Sequence, residues 1–205
     1  MKPITALPRR HALRAMAAIG PVAWVVSACG SSPPVQLYRL HTAPPQPVAA
    51  AAAGGPTLQL MLPVRVPDYL DREAILLPQP GSGVLALSGH RWAESLRDAI
   101  PRVLRADLAA LLGEGSVWTT PLPPGLVAER QLRVELLALE ADADGRGVRL
   151  QARWIWTDAR GRNVPRAELA QLQVPATGGS SSIGAVVDAH RLALWQLAVH
   201  IAASR

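Results

Sequence analysis

Among side chains able to react with or coordinate a substrate, the chain offers a single thiol, Cys29, in the stretch WVVSACGSS. A lone cysteine cannot close a disulfide within the chain. No His, Asp or second Cys stands near it to complete a metal-ligand set either. His90, His190 and His200 are scattered, and no Gly-x-Ser-x-Gly elbow accompanies them as a serine hydrolase would require. Asp142, Asp144 and Gly145 begin like a calcium loop but lack the third acidic position and the closing Glu. Turn chemistry accounts for them better. Gly81-Ser82-Gly83 lacks the lysine of a phosphate-binding loop, and no glycine fingerprint for a dinucleotide follows a strand. Trp154 and Trp156 read as core residues rather than a ligand platform, while Ile155 between them marks a partly apolar reverse face. The expectation is a protein without catalytic residues, metal or dissociable cofactor.

The surroundings of Cys29 give its thiol a different use. Lys2, Arg9, Arg10 and Arg14 form a cationic start with no acidic residue before Cys29. Ala15 to Val26 follows, an apolar run too short to span a bilayer comfortably. Charged start, short apolar core and small residues at a cleavage site describe an export signal covering residues 1–28. Val26-Ser27-Ala28-Cys29 resembles the bacterial lipobox, which implies a diacylglycerol on the Cys29 thiol, cleavage before it, and an acyl chain on the new amino group. Several chains anchor firmly where one binds only marginally. The alternative is an ordinary secretory signal with an incidental cysteine. Arg9 to Arg14 loosely resembles a twin-arginine motif, although Ala12 replaces the usual bulky residue, and a plain basic region is the preferred reading. Gly30 and Ser31 follow the cysteine where Asp would favour retention at the inner membrane, so the expected location is the periplasmic face of the outer membrane.

Removing that segment changes the charge argument. The whole chain carries 21 Lys+Arg against 15 Asp+Glu, and four of those cations precede Cys29. The high pI of about 10.9 then reflects the use of arginine more than a basic excess. No basic stripe interleaves with aromatics, which disfavours nucleic-acid binding.

These residues must be positioned by a fold, and the patterns are readable. Val35 to Leu40 reads as a short strand. His41 to Pro56, rich in Pro, Ala and Gly, reads as a loop or insert. Leu58, Leu60 and Leu62 alternate as a core strand. Pro63 and Pro67 bound a short extended piece, and the segments AILL and GVLALS pair across a Pro-Gly-Ser-Gly turn. A helix is expected from about Arg91, with Trp92, Leu96, Ala99, Val103, Leu104, Leu108 and Leu111 on its apolar face. Glu94, Arg97, Asp98, Arg102, Arg105 and Asp107 would lie mostly opposite. Pro101 predicts a kink or restart and Gly113 the stop. Leu132, Val134 and Leu136 share one strand face, and Val148, Leu150, Ala152, Trp154 and Trp156 share that of a second. The two form a hairpin across DADGRG. A third strand is expected within Asn163–Val174. Ile183, Val187, His190, Leu194, Leu197 and Ile201 mark the apolar seam of a closing helix. Strands, helix, meander, helix describe a single α+β domain, a largely antiparallel sheet with two main helices packed on one face. The organisation expected is a signal at 1–28, a lipidated leader, short strand and Ala/Pro-rich loop at 29–56, and the main domain at 57–205, the folded part starting near residue 35.

With these stretches in hand, CGSSPPVQLYRL, VRVPDYLDR, RWAESLRDAIPRVLRADLAALLG and the closing LAVHIAAS together resemble the PqiC family of ABC-type transport auxiliary lipoproteins. The resemblance covers most of the chain after Cys29. It departs in the insert at 41–56 and in Tyr38-Arg39-Leu40, where Tyr-Thr-Leu is usual. The resemblance implies an outer-membrane lipoprotein that serves an MCE-type intermembrane lipid transport system. It implies as partners a periplasmic MCE-domain protein and its inner-membrane component, and self-association into a ring. It assigns Tyr69, Leu70, Asp71, Arg72, Arg91, Trp92 and Glu94 to a shared structural or interface region. The alternative is that Leu70 and Trp92 are simply core and Asp71 and Arg72 a solvated turn. Two other functions stay open, a periplasmic lipid-binding carrier and an envelope-integrity lipoprotein without a transport role.

Overall fold

The hairpin expected around DADGRG forms the spine of the protein. A computed structural model of the chain describes residues 34–48, 55–160, 165–177 and 182–205, so Cys29 and its export segment lie outside the described residues. Strands β6 (Arg130–Ala141) and β7 (Gly147–Asp158) pair antiparallel from Arg130↔Asp158 to Ala141↔Val148. Period-two alternation carries Leu132, Val134 and Leu136, and Val148 through Trp156, to one buried face. Between Leu136 and Ala138 the register slips by one residue. This bulge leaves Leu137 exposed and turns Leu139 and Ala141 inward. In the turn, Asp142 O accepts from Gly145 N, and Asp144 Oδ1 accepts from Arg146 N at 3.0 Å. Gly145 takes φ +67°, so these residues make a turn as read.

Strand β8 (Arg166–Pro175) extends the hairpin antiparallel on the far side of β7. On the other side lie two short strands, β2 (Leu58–Leu60) and β5 (Val117–Thr119), in the order β5-β2-β6-β7-β8. Strand β2 runs parallel to both its neighbours. A separate three-stranded sheet, β1-β4-β3, joins β1 (Gln36–Tyr38), β4 (Val84–Trp92) and β3 (Ala74–Pro78), with β3 and β4 antiparallel and β1 parallel to β4. The fold is α+β with a largely antiparallel β6-β7-β8 meander, as expected, but the strands divide between two sheets, each with parallel pairs as well. The physical reason lies in the crossover. The chain leaves β2 and passes through the small sheet and α1 before returning as β5, and a long connection of that kind delivers a parallel neighbour.

Helix α1 (Leu96–Leu112) begins five residues later than its apolar spacing predicts. Residues His90 to Trp92 are instead the end of β4, held by Trp92 N donating to Glu73 O and Ala93 N donating to Tyr38 O. Ser95 is the first good capping residue, and its Oγ accepts from Arg97 N at 3.1 Å. Pro101 forces no restart: the helix runs through it, costing the bond to the Arg97 carbonyl while Ala99, Ile100, Val103 and Leu104 hold both turns in the core. Gly113 closes it at φ +114°. Leu62 also departs from expectation. β2 ends at Leu60, Pro63 offers no N–H to prolong it, and Leu62 is 38% exposed.

The closing helix α2 (Ile183–Ala203) is capped by Ser182, whose Oγ accepts from Ala185 N. Its seam is buried as expected, and Ala185, Ala189, Ala193 and Ala198 are buried with it. Trp154 donates from Nε1 to Ser204 Oγ at 2.9 Å, which fixes the end of α2 over β7. The largest surprise is electrostatic. Asp107, expected on the solvent side of α1, is completely buried and accepts two bonds from Arg191 of α2, at 2.8 and 2.5 Å. Arg191 also donates to the carbonyl of Ala43 at 2.9 Å. Burial pushes the Asp107 carboxyl up to about 6, while the Arg191 guanidinium pulls it back.

Breaking one half of such a pair strands the other charge in the core. Asp107→Asn is therefore expected to cost about 3–5 kcal/mol in urea unfolding. Replacing both, Asp107→Leu with Arg191→Met, is expected to restore most of that loss.

Candidate functional site

The stretch PDYLDR folds as a 3-10 turn, Asp68–Leu70, between the main sheet and β3. It turns Leu70 inward, at 8% exposure, and leaves Asp71 and Arg72 on the surface. Asp71 then meets the beginning of α1. One carboxylate oxygen accepts from Ser95 Oγ at 2.9 Å and the other from Arg97 Nε at 3.0 Å. The two sequence stretches singled out above are thus clamped to each other by three side chains, of which only Asp71 was expected to take part. The Ser95 and Arg97 bonds hold the Asp71 carboxyl below its usual range. Arg97 also reaches Asp68 at 3.5 Å.

The remaining candidates divide between surface and core. Arg91 pairs with Glu73 at 3.3 Å, and Glu94 pairs with Arg102, both on the surface. Trp92 is 6% exposed and meets the ring of His190 edge-on, with centroids 5.6 Å apart. That contact is the tertiary reason for the inward direction of Trp92 at the end of β4: α2 supplies its floor. His190 is itself buried, and its Nδ1 lies 2.8 Å from the carbonyl of Val186. A carbonyl only accepts, so Nδ1 carries the hydrogen. Burial holds the imidazole below its ordinary pKa and keeps it neutral.

Tyr69 points the other way, to the bulged end of the β6–β7 hairpin. Its hydroxyl donates to Glu140 Oε1 at 2.9 Å, and Arg149 donates to Glu140 Oε2 at 2.9 Å. Burial first, then the bond to a carboxylate, pushes the Tyr69 phenol up to about 12. Glu140 can be reached because the bulge at Leu137 has turned it to that side. Sequence spacing alone carries no sign of this partner.

Of the candidate residues, Tyr69, Leu70 and Trp92 line a cleft of about 470 Å³. Leu70, Ile75, Leu76 and Leu139 make apolar walls, Trp92 and His190 lie in its depth, and Tyr69, Glu140 and Arg149 line it as well. Among the described residues no group of three or more His, Cys, Asp or Glu is placed to hold a metal ion. The described residues also include no helix long and apolar enough to cross a membrane. The arrangement can bind and dock, and its ionisable groups are engaged with one another.

The comparisons with known proteins agree with this architecture. A family model described as ABC-type transport auxiliary lipoprotein component matches residues 38–202. A crystal structure of an uncharacterised protein superposes with a TM-score of 0.64 at 17% identity, covering 83% of this chain and 98% of its own. A crystal structure of a DUF330 protein from Xanthomonas campestris gives 0.59 at 16% identity, covering 81% and 92%. No curated protein matches the chain in sequence.

Two outcomes follow from the geometry. The raised Tyr69 value means its stabilisation is complete below the ordinary tyrosine pKa near 10 and is lost as pH rises through about 12. In urea midpoints measured against pH, Tyr69→Phe is expected to be less stable than the parent at pH 8, with the difference shrinking above pH 10. Trp92→Ala is expected to cost about 3–5 kcal/mol, as truncation of a core aromatic does, whereas Asp71→Asn should move the midpoint only slightly and leave the near-ultraviolet spectrum unchanged.

Proposed function

Because the chain belongs to the ABC-type transport auxiliary lipoprotein component family, we propose that it is the outer-membrane-anchored auxiliary subunit of an MCE/ABC-type intermembrane lipid transport system. It acts by docking and self-assembly rather than by catalysis. The family match over residues 38–202 carries the reading, since a lipoprotein of that family is held at a membrane of the envelope. The lipobox-like residues before Cys29 support attachment there, through a diacylglycerol on the thiol and an acyl chain on the amino group. Gly30 and Ser31 support the outer membrane over the inner. Tethering then concentrates copies on one surface, which favours both a ring and engagement of a periplasmic MCE-domain protein.

The side chains support a role without chemistry. Asp71 and Arg97, Glu140 and Arg149, and Asp107 and Arg191 are each committed to a structural partner. The cleft of about 470 Å³ favours a second reading, a carrier that holds a transported lipid in its own body.

One purification separates the two. The full chain, labelled in growing cells with a palmitate analogue and extracted in mild detergent, is expected to carry label that Cys29→Ser abolishes. It should fractionate with outer membrane, and light scattering should give one defined mass several times that of a single chain without stoichiometric phospholipid. A single-chain mass with one bound phospholipid per protein would establish the carrier, and label independent of Cys29 would remove the anchor.

A further inference from the structure

His190 is an unusual residue to find at the bottom of a cleft that no step of the docking role uses. Its Nδ1–H is spent on the Val186 carbonyl at 2.8 Å, so Nε2 holds a lone pair and can only accept. Nε2 has no hydrogen-bond partner among the described residues. Among the described residues, the buried side-chain nitrogen or oxygen without a partner is Arg191 Nε and not this atom. Nε2 is therefore open to the cleft that His190 lines.

The rest of the cleft selects what that acceptor could meet. Its volume of about 470 Å³ falls in the range of roughly 300–1,000 Å³ common for small-molecule sites. Leu76, Pro78 and Val84 offer accessible hydrocarbon along the walls, while Leu70, Ile75 and Leu139 lie almost fully buried behind them. The charges within reach are already balanced, because Arg149 is bonded to Glu140, which also accepts from Tyr69. An anionic ligand finds no free cation. A carboxylate brought to Nε2 would place two lone-pair acceptors together, and relieving that by protonating His190 is opposed by its burial. A cation would lose its hydration with no free anion to replace it, since Glu140 already accepts from Tyr69 and Arg149. A neutral molecule with an O–H donor and a hydrocarbon body matches the apolar walls and the unpartnered acceptor.

We infer that this cleft is a binding site for a neutral, hydroxyl-bearing hydrocarbon, whose O–H donates to His190 Nε2 while its chain lies along Leu76, Pro78 and Val84. The site is independent of the docking reading: it asks for a ligand in each chain whatever the assembly. It shares its cleft with the carrier reading, but names a neutral alcohol where the test of that reading looks for one bound phospholipid per protein.

Photolabelling tests it on the full chain in phosphatidylcholine vesicles. The probe is a long-chain primary alcohol with a diazirine in its chain, and the competitors are the unlabelled alcohol, its methyl ether and the carboxylate of equal length. Label is expected on peptides of the β3–β4 hairpin, Ala74–Trp92. The alcohol should displace it at about threefold to tenfold lower membrane concentration than the ether, the difference that one hydrogen bond makes. The carboxylate at pH 8 should do no better than the ether. Leu76→Trp, which fills the cleft from one wall, should abolish the label while leaving the urea midpoint within the scatter of the parent. Label that does not saturate, that survives Leu76→Trp in a folded protein, or that the ether or carboxylate displaces as well as the alcohol would overturn the assignment. The competition series needs no variant, so the assignment stays testable even if Leu76→Trp fails to fold.

Discussion

Asp107 and Arg191 lie 84 positions apart in sequence and share two hydrogen bonds in a region from which water is excluded. Withdrawing either charge alone would be prohibitive, so the helices that carry them can approach only in the register that brings the fork of the guanidinium onto the carboxylate. A third bond, to the carbonyl of Ala43, lays the segment after β1 across the same point. The bonding is incomplete, since Arg191 Nε is buried without a partner. Such a pair specifies an arrangement more than it adds stability.

Much of the remaining geometry follows from that register. Fixing α1 fixes its N-terminus, where Ser95 and Arg97 grip Asp71 and so anchor the turn that presents Tyr69 and Leu70. Fixing α2 sets His190, one residue before Arg191, under the ring of Trp92. The end of β4 thereby rests on α2 through an aromatic contact, and the cleft is lined by the β3–β4 hairpin and the end of the β6–β7 spine. Surface pairs such as Arg91–Glu73 remain exposed and contribute little beside this.

The legible parts of the sequence were those whose signal is local. The β6–β7 hairpin could be read because alternation and a turn segment lie within thirty residues of one another, and both persist in the structure. The seam of α2 was readable for the same reason. The start of α1 was not. Trp92 and Leu96 stand four apart, as helix neighbours would, yet Trp92 belongs to a strand because Glu73 and Tyr38 offer its end backbone partners from elsewhere in the chain. The candidate residues show the same division. Asp71 and Trp92 were singled out, but their pairing with Ser95, Arg97 and His190 was not, since nothing in the spacing links them.

By itself, the sequence determined the class of this protein: its α+β composition, its hairpin and closing helix, and the resemblance that places it among auxiliary lipoproteins. Periodicity, turn residues and stretches of familiar sequence are properties of neighbouring positions, and they survive whatever the distant chain does. Only the tertiary structure decided that there are two sheets, that Asp107 is inside, that a bulge at Leu137 brings Glu140 to Tyr69, and that the buried His190 lines a cleft. Each depends on pairing across tens of residues, where the cost of an unpaired charge or backbone group, rather than any local preference, selects the partner.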